Sequence, residues 1–342
     1  MTDVAEPVAV NSDEMRQAWT DANLKPLWEQ AMAHGGAVKR ERAYRWSWEA
    51  VHPLVVAATK LRGMDVTERR VLTMMNPNPN PNGVPGAISN LTAAFQILLP
   101  GESARPHRHS MNALRFVLDG NGAITRVDGK ACPMFEGDLV LTPGWTWHEH
   151  VHEGTAPIVW LDVLDSQLHR FLGTDAFEPG PPHDVPARTA DDVFVSANIV
   201  PEVGEDATQS PLYRYPWSAA SAAVAVAPVG KDGLRRVRYV NPVSGGSSMT
   251  LIDSTLVQLD ANTSSVPFKT SSHAVCAVVE GTGRTTVGDD AFTWGPKDVF
   301  VLPSGAWIQH HSDGGKPARI FVASDREVLR RLDLLQQTYQ LE

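Results

Sequence analysis

Two short stretches concentrate the chemistry of this 342-residue chain. Pro106-His107-Arg108-His109 and Trp147-His148-Glu149-His150 each read as part of a β-strand. Alternate residues of a strand point to one face, so His107 and His109 present two imidazoles side by side and His148 supplies a third. Three neutral imidazoles that leave positions open suit a divalent transition metal, with iron(II) a natural occupant. If the first strand runs on without interruption, Met111, Ala113 and Arg115 share the face of His109. Arg115 is then an interior cation in need of an anionic partner. A substrate carboxylate fits its planar fork, and so does a protein carboxylate such as Asp162. His150 shares a face with His148, where it either exchanges a proton with the reacting groups or makes a structural hydrogen bond. Asp162, beside Trp160 in an apolar strand, is expected to hold a substrate hydroxyl or to brace a ligand histidine. Thr92, Ala94 and Gln96 share one face of the preceding strand and are expected to line the pocket. His152 and His169 read as surface residues, and Trp19, Trp28, Trp46 and Trp48 as packing residues.

These side chains need a frame. Residues 1–87 read as a helical or irregular arm that ends in the loop Asn76-Pro77-Asn78-Pro79-Asn80-Pro81-Asn82-Gly83, since repeated Asn-Pro continues neither a helix nor a central strand. Residues 88–175 form a strand-rich block. Pro179-Gly180-Pro181-Pro182 marks a linker over 176–237, and a second strand-rich block covers 238–325. Residues 326–342 read as a terminal helix from the spacing of Val328, Leu329, Leu332 and Leu335. The two blocks repeat one another: Asp119-Gly120-Asn121-Gly122 matches Glu280-Gly281-Thr282-Gly283, and Gly137 to Pro143 matches Lys297 to Pro303. Short strands between regular turns predict a mainly β protein of two jelly-roll barrels. Aligning the repeats places Phe268, Thr270 and Ile308 where the first block has His107, His109 and His148, and His310 where it has His150. The second barrel is therefore expected to be structural, serving packing or oligomerisation.

Composition narrows the classes. The chain is 42% hydrophobic and 20% charged, ordinary for a globular protein and long enough for two cores. A net charge of -9 provides no general basic surface, so no nucleic-acid partner is expected. No apolar run approaches the ~20 residues of a membrane span. An acidic N-terminus and two widely separated cysteines, Cys132 and Cys276, point to a reduced, cytoplasmic protein.

Gly101, His107, His109 and Gly120, followed by Gly137, Pro143, Trp145 and His148, resemble the two cupin motifs in spacing. Ala113 stands where the common pattern has a glutamate ligand. Three histidines without a carboxylate, together with Ala113-Leu114-Arg115-Phe116-Val117 and Trp145-Thr146-Trp147-His148-Glu149-His150, are similar to the gentisate/salicylate 1,2-dioxygenase group of bicupins. That group includes members acting on 5-nitrosalicylate and 1-hydroxy-2-naphthoate. The resemblance implies an iron(II) enzyme, a homotetramer in the cytoplasm, that uses dioxygen to open the ring of a 2-hydroxybenzoate between its carboxyl-bearing and hydroxyl-bearing carbons. It also implies that Arg70 corresponds to an N-terminal arginine reaching the active site. An aromatic residue is usual where Thr92 stands, so a smaller polar side chain either enlarges the pocket or adds a hydrogen bond there, favouring substituted salicylates. Two other readings are a non-catalytic small-molecule-binding bicupin, which often lacks the ligands in both barrels, and a metal-cupin decarboxylase or isomerase, which usually keeps the glutamate.

Overall fold

A computed structural model describes residues 12–25, 41–61, 63–64, 67–78, 80, 84–180, 189–194, 199–201 and 208–341. Trp28, Pro79 and Pro81 to Gly83 of the Asn-Pro run, and Pro181-Pro182 of the linker lie outside them. The chain divides into two compact units, Met1–Arg40 and Glu41–Glu342. The first contains helix α1 (Ser12–Asp21), with Asp13 and Glu14 in its first turn, where the helix dipole favours acids.

The second unit opens with β1 (Tyr44–Trp46), α2 (Trp48–Leu61) and β2 (Val71–Thr73). A first barrel follows: β3 (Thr92–Leu98), β4 (Ser103–His109), β5 (Ala113–Asp119), β6 (Ala123–Val127), β7 (Lys130–Met134), β8 (Leu139–Thr142), β9 (His148–His152) and β10 (Ile158–Leu164), then α3 (Ser166–Leu172). Next come β11 (Phe177–Pro179), β12 (Arg214–Tyr215), α4 (Trp217–Val226) and β13 (Arg235–Arg238). The second barrel holds β14 (Asp253–Leu259), β15 (Phe268–Thr270), β16 (Ala274–Glu280), β17 (Thr282–Val287), β18 (Asp290–Trp294), β19 (Val299–Leu302), β20 (Trp307–Asp313) and β21 (Ala318–Ser324). The chain finishes with α5 (Arg326–Arg331) and β22 (Gln337–Tyr339).

In the first barrel the sheet β12-β8-β5-β10-β3-β2 faces β11-β4-β9-β6-β7; in the second, β1-β19-β16-β21-β14-β13 faces β18-β17-β20-β15-β22. This is a bicupin, mainly β with a few helices. Strand β10 shows why its sequence is almost continuously apolar. Val159, Leu161 and Val163 pack outward in one core with Val275, Phe321 and Ala323 of the second barrel, while Ile158 and Trp160 pack inward. Phe116 and Phe321 stack across that interface with centroids 4.2 Å apart. A sheet covered on both faces loses the usual apolar-polar alternation.

The expected segment boundaries change in three places. The part of the expected arm after Arg40 belongs to the barrels: β1 pairs with β19 of the second barrel and β2 with β3 of the first. The stretch expected as a linker adds β11 and β12 to the first barrel and β13 to the second. These additions cover strand edges that would otherwise expose unpaired backbone groups. The terminal helix exists but stops at Arg331. Asp333 takes a left-handed φ of +58°, and β22 then pairs with the edge of β15. Among the described residues no helix is long and apolar enough to cross a membrane.

Candidate active site

Strands β4 and β9 pair with His107 directly opposite His148. The second barrel repeats this register with Phe268 opposite Ile308, which supports the alignment of the repeats. Each histidine of the first barrel is tied at Nδ1 to a backbone carbonyl two residues away. His107 bonds Arg105 at 2.9 Å, His109 bonds Met111 at 2.8 Å and His148 bonds Thr146 at 2.9 Å. A carbonyl only accepts, so Nδ1 carries the proton in all three and Nε2 carries the free lone pair. The donor atoms of the trio lie within 4.8 Å of one another. Nε2 of His107 and of His148 is buried with no partner, a costly state for a polar atom unless something else engages it. Burial, with Arg69 adding to it, lowers His107 to about 3; burial lowers His109 to about 4 and His148 well below its ordinary value. Three neutral, convergent, prefixed imidazoles fit a divalent transition metal.

Arg115 reaches the same interior by a different route from the one expected. The strand is interrupted: β4 belongs to one sheet and β5 to the other, with Ser110 to Asn112 crossing between them. Asn112 secures the crossing through its backbone N–H and amide to Asp165, at 2.9 and 2.7 Å, and accepts from the Gly144 N–H at 3.1 Å. Arg115 sits opposite Asp162 in the β5–β10 register, with Nε 3.5 Å from Asp162 Oδ1, and Nη1 donates to Thr142 Oγ1 at 2.6 Å. Asp162 also accepts from Trp160 Nε1 at 3.0 Å. Burial pulls both ions toward neutrality, Arg115 down to about 10 and Asp162 up to about 6, against their mutual attraction. The protein-carboxylate partner is thus present, but the contact is long and Nε makes no hydrogen bond. Arg115 keeps capacity for a second anion.

His150 is fully buried, bonded through Nδ1 to Thr125 Oγ1 at 2.9 Å, with Nε2 unpartnered. Its ring centre is 6.1 Å from that of His148. Ala94 and Gln96 are buried outside the apolar clusters, opposite Asp162 and Trp160, and Gln96 Nε2 has no partner. Thr92 shares their strand face, but its hydroxyl is engaged by Ser166 Oγ at 2.6 Å. His152 is buried rather than superficial. Its Nε2 bonds the Ala156 carbonyl at 2.6 Å and its Nδ1 accepts from the Gly154 N–H at 3.2 Å, bracing a turn. His169 is mostly covered and lies 3.6 Å from Asp165.

Arg70 does not join the cluster; it is buried against Glu102. Its neighbour Arg69 does: its charge depresses His107, His109 and His150. Strand parity explains the exchange. Val71 and Thr73 lie opposite Gln96 and Ala94, so the pocket-facing positions of this segment are odd-numbered. Arg69 also lies over Phe177, 5.6 Å from its ring centre, and Phe177 stacks on His107 at 5.5 Å. Strand β11 places it there by pairing with β4 at the ligand positions, Phe177 opposite His109 and Pro179 opposite His107. Neither Arg69 nor Phe177 stood out in the sequence.

Residues 94–164 match the family described as the Cupin domain. Gentisate 1,2 dioxygenase 1 of Aquipseudomonas alcaligenes is 32% identical over 322 residues, covering 91% of this chain and 91% of its own length. The chain belongs to the gentisate/salicylate 1,2-dioxygenase group. A second member of the group, 5-aminosalicylate 1,2-dioxygenase of Comamonas sp, is 33% identical over 95% of this chain and 89% of its own. The crystal structure of salicylate 1,2-dioxygenase from Pseudoaminobacter salicylatoxidans, solved as gentisate adducts, superposes with a TM-score of 0.86 at 26% identity, over 100% of this chain and 98% of that one. As a dioxygenase of this group the protein is an oxidoreductase, and its three-histidine cluster fits a metal site in a cupin fold.

Proposed function

We propose that this dioxygenase binds iron(II) through His107, His109 and His148 and opens the ring of a salicylate-type 2-hydroxybenzoate, adding both atoms of dioxygen between the carboxyl-bearing and hydroxyl-bearing carbons. The observation that carries this reading is the common tautomer of the three histidines, which leaves the Nε2 lone pairs free within one group that, among the described residues, includes no carboxylate. The ion would supply the one-electron chemistry that overcomes the spin barrier between dioxygen and an aromatic ring. The neutral shell leaves a chelating substrate to bring the negative charge.

The chain's own residues do the rest. Arg115 receives the substrate carboxylate on the donors that Asp162 and Thr142 leave free, and Asp162 fixes the direction of the guanidinium. Arg69 adds a second cation at the rim and raises the local concentration of anionic substrate. Gln96 offers its unpartnered amide N–H₂ to a substrate oxygen. Thr125 holds His150 in one orientation, leaving Nε2 to hold or pass the proton of the substrate hydroxyl. Because Ser166 engages the Thr92 hydroxyl, Thr92 contributes space rather than a free donor. That space favours a substituted salicylate, such as 5-nitrosalicylate. Ala113, small and buried at the start of β5, leaves no fourth protein ligand where decarboxylating cupins usually carry one.

Both cysteines are buried free thiols, in keeping with a cytoplasmic enzyme. Exposed Leu54 and Leu61 on α2 and Phe171 and Leu172 at the end of α3 supply apolar surface for a homotetramer. The test is reconstitution with iron(II) under anaerobic conditions, followed by oxygen uptake with gentisate, salicylate, 5-nitrosalicylate and 1-hydroxy-2-naphthoate. Uptake matched by a ring-opened product is expected with at least one of them. Carbon dioxide release with manganese and no oxygen uptake would support the decarboxylase reading instead.

A further inference from the structure

The second barrel lacks the ligand histidines, yet its interior is not filled. A cavity of about 380 Å³ lies between its two sheets, within the ~300–1,000 Å³ range of small-molecule sites. Its wall follows strand alternation. Asp253, Thr255 and Val257 of β14, Ile320, Val322 and Ser324 of β21, and Phe268, Ile308, Cys276 and His310 from other strands all turn inward. A barrel retained only as a packing block would be expected to close this volume with larger side chains, because unfilled apolar space costs stability.

The lining is polarised. Arg236, Arg238 and Arg326 enter it from β13 and α5: Arg238 and Arg326 toward the end where β14 begins and β21 finishes, Arg236 further along, opposite Val257. Each is steered by a carboxylate: Arg236 by Asp232 at 2.5 Å, Arg238 by Asp253 at 2.6 Å and Glu327 at 3.1 Å, and Arg326 by Asp253 at 3.6 Å. A guanidinium has five donors, and these contacts occupy only part of them. The remaining wall is apolar apart from hydroxyls, the Gln337 amide and His310, whose Nδ1 is tied to Thr285 Oγ1 at 2.8 Å, as His150 is tied to Thr125. Burial, aided by Arg236, lowers His310 to about 4, so His310 adds no further cation to the cavity at neutral pH. Such a cavity suits one anionic head and an uncharged flat body, and it disfavours an acid charged at both ends.

We infer that the second barrel is a binding site for an aromatic monocarboxylate, held by the arginine rim with its ring among Val257, Phe268, Ile308 and Ile320. The inference stands on this cavity alone and does not depend on the metal or the reaction assigned to the first barrel.

The test uses 4-(trifluoromethyl)benzoate, which lacks the ortho-hydroxyl, followed by ¹⁹F NMR on the full chain carrying Arg115→Gln to weaken carboxylate binding in the first barrel. Saturable binding is expected to persist in that variant, to weaken at least tenfold when Arg236→Gln or Ile308→Phe is added, and to resist competition by the dicarboxylate cis,cis-muconate. Hydrogen exchange on the unmodified protein gives a readout that requires no variant to fold: the probe should protect β15, β16 and β20. Affinity within twofold of the parent in both added variants, or protection confined to residues 92–164, would overturn the assignment.

Discussion

At the scale of single residues, the site separates holding from reacting. The backbone carbonyls of Arg105, Thr146 and Met111 set the histidine tautomers before any ion arrives, so the trio is organised by local hydrogen bonds. His109→Ala is therefore expected to abolish metal retention while leaving the far-ultraviolet circular dichroism unchanged. Full metal occupancy by elemental analysis would remove His109 from the ligand set. Arg115→Gln deletes a buried charge-assisted contact worth about 1.5–3 kcal/mol, so KM for carboxylated substrates should rise roughly 10- to 100-fold, with a smaller change in kcat. The adjacent arginines should part company. Arg69→Gln is expected to raise KM several-fold with little loss of stability. Arg70→Gln, which removes the buried partner of Glu102, is expected to lower the urea midpoint and spare KM.

At the scale of elements, short edge strands do more than their length indicates. β11 sets an aromatic ring against His107, and β2 decides by parity which of two arginines faces the pocket. β22 has only three residues, but it pairs with every residue of β15, and Tyr339 packs against the second core. Truncation after Gln336 should therefore cost about 1–3 kcal/mol, the sum of a few cross-strand pairs. Chemical denaturation checks this, and kcat/KM in the first barrel should be preserved at low temperature. An unchanged denaturation midpoint would show that β22 contributes nothing to the fold.

At the scale of the whole molecule, the barrels share a core and the interior charge balance depends on pH. Five imidazoles, of His107, His109, His148, His150 and His310, are buried in the neutral form and pushed well down. The unfolded chain protonates them near pH 6.5, and the folded chain does so only at lower pH. Their contribution is complete above pH 6.5 and is lost as pH falls toward 4. Asp162 and Asp165, raised to about 6 by burial, act in the opposite sense, favouring the fold below that value. The imidazoles are more numerous, so metal-free protein should lose at least about 1.4 kcal/mol per pH unit below 6.5, the worth of one net proton. Urea midpoints at pH 7.0, 6.0 and 5.0 test the sign, and a midpoint that rises on acidification would contradict it.

Much of the architecture was legible in the chain itself. Turn spacing and the internal repeat predict two β-barrels, and strand parity places His107, His109 and His148 on one face, because these signals are local and periodic. Loss of the ligands in the second copy was readable for the same reason, and the shared register of Phe268 with Ile308 bears out the alignment. What the chain could not disclose was which distant segments complete each barrel. Pairing of β1, β2, β11 and β22 joins residues far apart in sequence, and a three-residue strand carries too little periodicity to announce its partner. The choice of Arg69 over Arg70, the stacking of Phe177 on His107 and the long Arg115–Asp162 contact all follow from those pairings. Side-chain type and spacing told what the interior could do; only the closing of edges in three dimensions decided which residues were brought there.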